Sequence, residues 1–410
     1  MRKITWGLLL AFAFAIPWEY SLDLGGWLGN VARVIGLLML LAAMPAVLQA
    51  GHVRISGPMQ WLVLALFLWF CCTFLWTIEP LATLEKLRGY AQEMMVVWLV
   101  WEFAESPRDL RALLRAFIAG SWVLAALTLA NFRSAEVIAA GQVRFFSEGQ
   151  DPNDVARFLD LCFPLAALLA NCERGWPARL LALGYLPLGF LAVVLTASRG
   201  GFVGALAAFA GCGLLLMKSH RRAVFTCALV LPALSAALWF VVPRETLERL
   251  ATIPEQLQGG DLNQRLNIWH AGWLAFSHSP LLGTGVGSFV AASGMNPIDT
   301  AHNTTLSILV GSGLIGLFLV SAIVVFALHS ILVAPGQLKT ALATALMVWG
   351  IASLVSTLEE SRATWLLLAM IALADRLAIE QPAQLTEYFT AAIPADRIAA
   401  LPRLSSSGAD

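Results

Sequence analysis

The sequence predicts an all-α polytopic integral membrane protein of about 12 transmembrane helices, with one long helical loop between spans nine and ten. Three observations predict it. Of 410 residues, 59% are hydrophobic and only 13% are charged, where soluble domains carry about 25% charge. The mean hydropathy is +0.76. The apolar residues fall in runs of about 20, the length a helix needs to cross a bilayer core.

Taken in order, the runs place spans at 4–18, 31–50, 59–77, 89–104, 111–131, 154–171, 178–196, 201–217, 223–242, 303–328, 339–357 and 363–378. The first follows Arg2-Lys3 and ends at Pro17-Trp18-Glu19-Tyr20. That bulky sequence is not a small-residue cleavage site, so a retained span is expected. Residues 1–242 therefore hold spans one to nine, 243–301 the loop, 302–378 spans ten to twelve, and 379–410 a tail.

Orientation follows from basic residues in short loops. Arg2-Lys3, Arg54, Arg108/Arg111, Arg174/Arg179, Lys218/Arg221/Arg222 and Lys339 fall in alternate loops and mark the inside. Both termini are then inside and the loop 243–301 is outside. Lys+Arg and Asp+Glu each number 26, so no general basic signature for nucleic acid exists. The six cysteines lie in or beside apolar runs without metal-ligand spacing. They read as small buried hydrophobes.

The loop divides in two. Residues Arg244 to Leu257 form a helix begun by Pro243 and broken by Gly259-Gly260. Asp261 then caps a second helix, on which Arg265, Trp269 and Trp273 share one stripe. Ser279-Pro280 ends it, and Gly283, Gly285 and Gly287 supply a hinge before Ala301-His302-Asn303.

Charges at membrane depth cost about 2.5–3.5 kcal/mol at a helix centre unless they face a cavity or a partner. The outer ends of the spans hold Arg157, Arg199, Glu359, Glu360 and Arg362, and the outer loops add Arg144 and Arg265. Several guanidinium forks around one outer cavity suit a pyrophosphate. Each arginine also has a structural reading. Arg157 stands three residues from both Asp154 and Asp160 and can pair with them. Arg199 can anchor at the interface, and Arg265 can snorkel beside its tryptophans.

His302 follows Asp299-Thr300, a plausible cap, and so falls in the first turn of span ten. The positive end of the helix dipole disfavours an imidazolium there, which suits a general base. His52, His220 and His329 lie on the inside face, and His270 and His278 have no visible partner. Gly311-Ser312-Gly313-Leu314-Ile315-Gly316 matches the dinucleotide-binding fingerprint, but no strand precedes it. Small residues inside a span instead permit close packing or a bend.

Together, Arg265 with Trp269, Pro280-Leu281-Leu282-Gly283 with Gly285 and Gly287, Ala301-His302-Asn303, and Gly313-Leu314-Ile315-Gly316 resemble the bacterial O-antigen ligase and polymerase superfamily. Leu75-Trp76, Pro80, Asp151-Pro152-Asn153, Arg157, Leu161 and Ser198-Arg199-Gly200 extend the resemblance, in order, from span three to span ten. The size and the spacing from His302 to Gly311 look most like the ligase branch. The resemblance implies a glycosyltransferase in the bacterial inner membrane, its site facing the periplasm. It moves O-antigen from undecaprenyl pyrophosphate to lipid A-core, with inversion, no cofactor and no metal. Carried over, His302 is the general base, Arg157, Arg199 and Arg265 bind the donor pyrophosphate, and Arg144 is a looser match. An O-antigen polymerase and a protein O-oligosaccharyltransferase use the same donor and stay open. A lipid-linked glycan transporter also fits twelve spans, but no inverted repeat is visible.

Overall fold

The computed structural model describes the chain except residues 27, 134–142, 174, 220–239, 261–263, 296–299 and 391–410. Most of the expected ninth span lies outside the described residues. So do Arg174, His220, Arg221, Arg222, Cys227, Asp261 and Asp299. The protein is an all-α polytopic membrane protein.

In chain order the helices are α1 (Arg2–Ala15), a short 3-10 turn (Ile16–Ser21), α2 (Val31–Ala50), α3 (Pro58–Thr73), α4 (Pro80–Phe103), α5 (Pro107–Arg133), α6 (Pro152–Cys172), α7 (Trp176–Leu195) and α8 (Arg199–Ser219). The long loop holds α9 (Arg244–Ala251), α10 (Ile253–Gln258), α11 (Arg265–His278) and α12 (Phe289–Ser293). Then come α13 (Thr304–Val333), α14 (Gly336–Ser353), α15 (Arg362–Glu380) and α16 (Pro382–Tyr388). Five of these, α2, α5, α6, α7 and α13, are long and apolar enough to cross a membrane unaided. Helices cover the other expected spans too, the ninth excepted.

The ends of the helices sort into two sets, and cross-chain bonds show which ends lie together. At one end Arg2 of α1 bonds Glu102 of α4 at 3.4 Å, and Arg54 pairs with Glu380 at 3.7 Å. Arg115 of α5 there grips Glu173, just past α6, at 2.7 Å. At the other end Ser21 meets Ser147 at 2.5 Å, and Arg362 pairs with Glu19. Lys86 pairs with Glu360, and Asn303 donates to the Leu354 carbonyl at 3.2 Å. Successive helices therefore run up and down. Every residue singled out as chemical stands at the second end.

α6 is the hub. Its whole apolar window is buried within the protein. It packs against α5, α7, α8 and α14. Between helices in lipid, close van der Waals fit replaces the hydrophobic drive. Gly201 and Gly204 supply that fit, since a Cβ there would stand 2.3 Å from Ala156 and 2.5 Å from Asp160. The first turns of α6 and α8 are thus pressed together, with Arg157 on one and Arg199 on the other.

The loop 279–288 differs from the expected hinge. α13 breaks at Gly313, where φ is 68° and ψ −167°. The broken turn frees carbonyls, and the loop takes them. Thr284 donates to Val310 at 2.8 Å, Gly285 to Gly311 at 3.0 Å, and Leu314 returns a bond to the Pro280 carbonyl at 2.9 Å. The glycine run is a backbone clamp on a broken helix. The bend expected at Gly311 to Gly316 is present.

The chain past Arg376 begins with helical structure through Glu380 and α16, and Arg111 lies over the Tyr388 ring at 4.9 Å. Among the described residues, Cys71, Cys72, Cys162, Cys172 and Cys212 form no disulfide.

Candidate active site

Arg157 leaves the second turn of α6. Its Nη1 pairs with Asp154 at 3.2 Å, while Asp160 is drawn to α8 instead, so half of the expected ladder forms. The Arg157 Nε and the Asp160 Oδ1 are buried without a partner. Ser198 ends the turn before α8, and its hydroxyl donates to the Asn153 side chain at 2.8 Å. This bond fixes the start of α6 to the start of α8. Arg199 follows and reaches Thr252, between α9 and α10, at 3.2 Å.

Arg144 ties the loop before α6 to the same turn. Its Nε donates to the Thr196 carbonyl at 2.9 Å, and Nη2 to Asn153 at 3.2 Å. Burial, then the charge of Arg249, push its guanidinium down to about 10. Arg199 and Arg265 add to that repulsion. Arg249 of α9 was not visible in the sequence as a site residue. It donates to the Ala197 carbonyl at 3.1 Å. Arg265 is also depressed, by burial first, with Asp151 opposing and Arg199 adding to the effect. Four guanidinium groups from the loop 143–151, α8, α9 and α11 thus share one neighbourhood, with Asp151 as counter-charge.

Arg157 and Arg265 line one cleft with Asn153, Ser198, Gly200 and Gly201. It measures about 20 Å³, room for about one water. A pyrophosphate enters only if its walls part.

His302 stands elsewhere than expected. The cap of α13 is Asn303, whose side chain accepts from the Leu306 N–H at 2.9 Å. The histidine therefore precedes the cap rather than sitting inside the first turn. Its φ is 44°. It is close enough to Asp154 to interact with it electrostatically. Trp269 of α11 donates to the carbonyl of its neighbour Ala301 at 3.2 Å, so the Arg265 helix holds the His302 segment directly. Thr304 donates to the Ser356 carbonyl at 2.8 Å and accepts from the Leu358 N–H at 2.9 Å. The histidine is not among the cleft's lining residues, but Val355 and Ser356 are.

Among the described residues, three that are not glycine have positive φ: Ala197 at 51°, Gln264 at 63° and His302 at 44°. Each is, or lies within two residues of, a candidate arginine or the candidate base. Such strain costs about 1–3 kcal/mol per residue and persists where surrounding structure enforces it.

A larger cavity of about 240 Å³ is lined by Thr357, Glu359 and Glu360 of the 354–361 turn. Thr300 and Ala301 line it beside Lys86, Glu359 and Glu360. Lys86 carried no signal in the sequence. Its pairing with Glu360 arises only because α4 meets the turn before α15.

Fold and site together describe a membrane protein whose loops at one end of the bundle gather arginine side chains, with a strained histidine nearby. A family model described as O-antigen ligase matches residues 184–321, and this match supports membership of the O-antigen ligase/polymerase superfamily. The matched stretch contains Arg199, Arg249, Arg265 and His302, and ends before Glu359. A search of curated proteins finds no match.

Proposed function

We propose that the protein transfers O-antigen from undecaprenyl pyrophosphate to lipid A-core, at the periplasmic face of the bacterial inner membrane. One observation carries the reading. Arg157 and Arg265 line a common cleft beside Arg199, and Trp269 fixes His302's neighbour Ala301 to the helix that carries Arg265.

The donor already holds an activated leaving group. The acceptor hydroxyl oxygen attacks the anomeric carbon while the carbon–oxygen bond to pyrophosphate breaks, which inverts that centre. His302 takes the hydroxyl proton. Arg157, Arg199 and Arg265 meet the charge that develops on the departing pyrophosphate. Arg144 and Arg249 hold the turns that present them, since both donate to backbone carbonyls at 196–197. The site end faces outward because the opposite end carries Arg2, Lys3, Arg54, Arg108 and Arg111.

The test uses the full chain in nanodiscs with a lipid-linked glycan donor and lipid A-core. Arg265→Lys keeps the charge but loses the fork. It is expected to lower kcat/KM at least tenfold, and His302→Ala to lower kcat about 10²–10⁴-fold. Near-normal transfer by folded His302→Ala removes the base role. Transfer to a lipid-linked repeat or an acceptor protein, and not to lipid A-core, moves the protein to the polymerase or the protein transferase branch.

A further inference from the structure

The cavity of about 240 Å³ has a chemistry opposite to that of the arginine cleft. Its charged lining is Lys86, Glu359 and Glu360, and Lys86 is already committed to Glu360. The carboxyl left over is that of Glu359. Its side chain is 5% exposed, and Oε2 has no hydrogen-bond partner. A buried carboxyl oxygen without a partner is costly. A ligand hydroxyl in the cavity would satisfy it.

The walls around that oxygen point to a sugar. Phe70 and Tyr90, their ring centroids 4.8 Å apart and tilted by 43°, line the cavity. Ser307, hydrogen-bonded to the Glu359 carboxyl, lines the same wall. Carboxyl oxygens accept hydroxyl or amine hydrogens, and the cavity's lining cation, Lys86, is held by Glu360 rather than offered to a phosphate. Burial, then the charge of Glu360, push the Glu359 carboxyl up, and a neutral carboxyl both donates and accepts.

We propose that this cavity binds the acceptor as a sugar ring free of phosphate, with Glu359 hydrogen-bonding its hydroxyl groups. The proposal rests on the glycan-transfer reading above. It places the two substrates at different stretches of the 354–361 turn: the anionic leaving group beside Val355 and Ser356 on the arginines, the polyhydroxyl ring beside Thr357 on the carboxyl. His302 lies at the junction. Its neighbours Thr300 and Ala301 line the acceptor cavity, and Thr304 bonds the Ser356 carbonyl at the wall of the cleft.

The test pairs Glu359→Met, which keeps volume and removes hydrogen bonding, with Ser307→Phe, which fills the cavity from α13. In nanodisc-held full chain, both are expected to raise the KM for lipid A-core roughly tenfold, the scale of one lost buried hydrogen bond. The KM for the lipid-linked donor stays unchanged. An unaltered acceptor KM in either folded variant overturns the proposal. If the wild type transfers nothing, the transfer reading fails by itself, and direct binding of lipid A-core decides the cavity. Wild-type binding weakened about tenfold in both variants then supports it. No wild-type binding, or equal binding by all three, overturns it.

Discussion

At the scale of single residues, the site is a collection of groups held against their preferences. Arg144, Arg249 and Arg265 are each depressed by burial, and the carboxyl of Glu359 is pushed up to about 8 by burial and then by Glu360. The second shift has a measurable consequence. A carboxyl whose pKa is higher in the folded protein than in the unfolded chain binds more protons when folded. Stability is then greatest below the unfolded value and falls as pH rises toward the folded one. Thermal unfolding in detergent is expected to show falling stability from about pH 4.5 to about 8, with Glu359→Gln flattening the fall. An unchanged slope in that variant would assign the dependence to another group. The sequence disclosed the types in this set, because charges beside apolar runs are expensive and few. It did not disclose Arg249 or Lys86, which look like ordinary helix-end cations until α9 meets the Ala197 turn and α4 meets Glu360.

At the scale of elements, the decisive feature is the break in α13. The apolar run 303–328 and the glycines inside it were legible, as was a bend among them. The role of Gly283 to Gly287 was not, because a glycine-rich stretch reads as freedom when its hydrogen-bond partners are remote in sequence. Here it docks on carbonyls of α13, and the clamp positions the first turns of that helix, hence His302 before them. Gly313 is the position that cannot change. At φ 68° and ψ −167° an added Cβ would stand 2.1 Å from the Leu281 carbonyl oxygen. Gly313→Ala is expected to destabilise the protein by at least the cost of backbone strain, about 1–3 kcal/mol, and to lower transfer although Gly313 lines neither cavity. Circular dichroism melting with an activity assay checks it. A variant with wild-type melting and activity would mean that α13 can straighten and the clamp is dispensable. The neighbouring Gly311 tests specificity: its added Cβ meets only Val286 and Gly285 at 3.3–3.4 Å, so Gly311→Ala should cost less.

At the scale of the whole molecule, hydropathy and loop charge predict alternating spans, and bonds that join helix ends, such as Arg2 to Glu102 and Arg362 to Glu19, fit that alternation. What one sequence could not supply is which helix ends meet. The turn after α1 illustrates this. Glu19 looked like the polar edge of an N-terminal span, yet it is 2% exposed and pairs with Arg362 at the start of α15. Burial pushes its carboxyl up, with Arg362 as the chief opposing charge and Arg157 next after it. One buried pair therefore joins the first and last parts of the bundle and abuts the arginine of the cleft. Removing one partner of such a pair strands the other, at about 3–5 kcal/mol, whereas removing both can be nearly neutral. Arg362→Met is thus expected to lower stability by that amount and to depress transfer, because an unpaired Glu19 draws on Arg157. The double variant Glu19→Gln with Arg362→Met is expected to recover most of the stability. The cycle is read by thermal unfolding and by donor KM in the same preparations. Additive losses in the double variant would mean that the two side chains act independently, and that α15 is held to the N-terminal turn by packing alone.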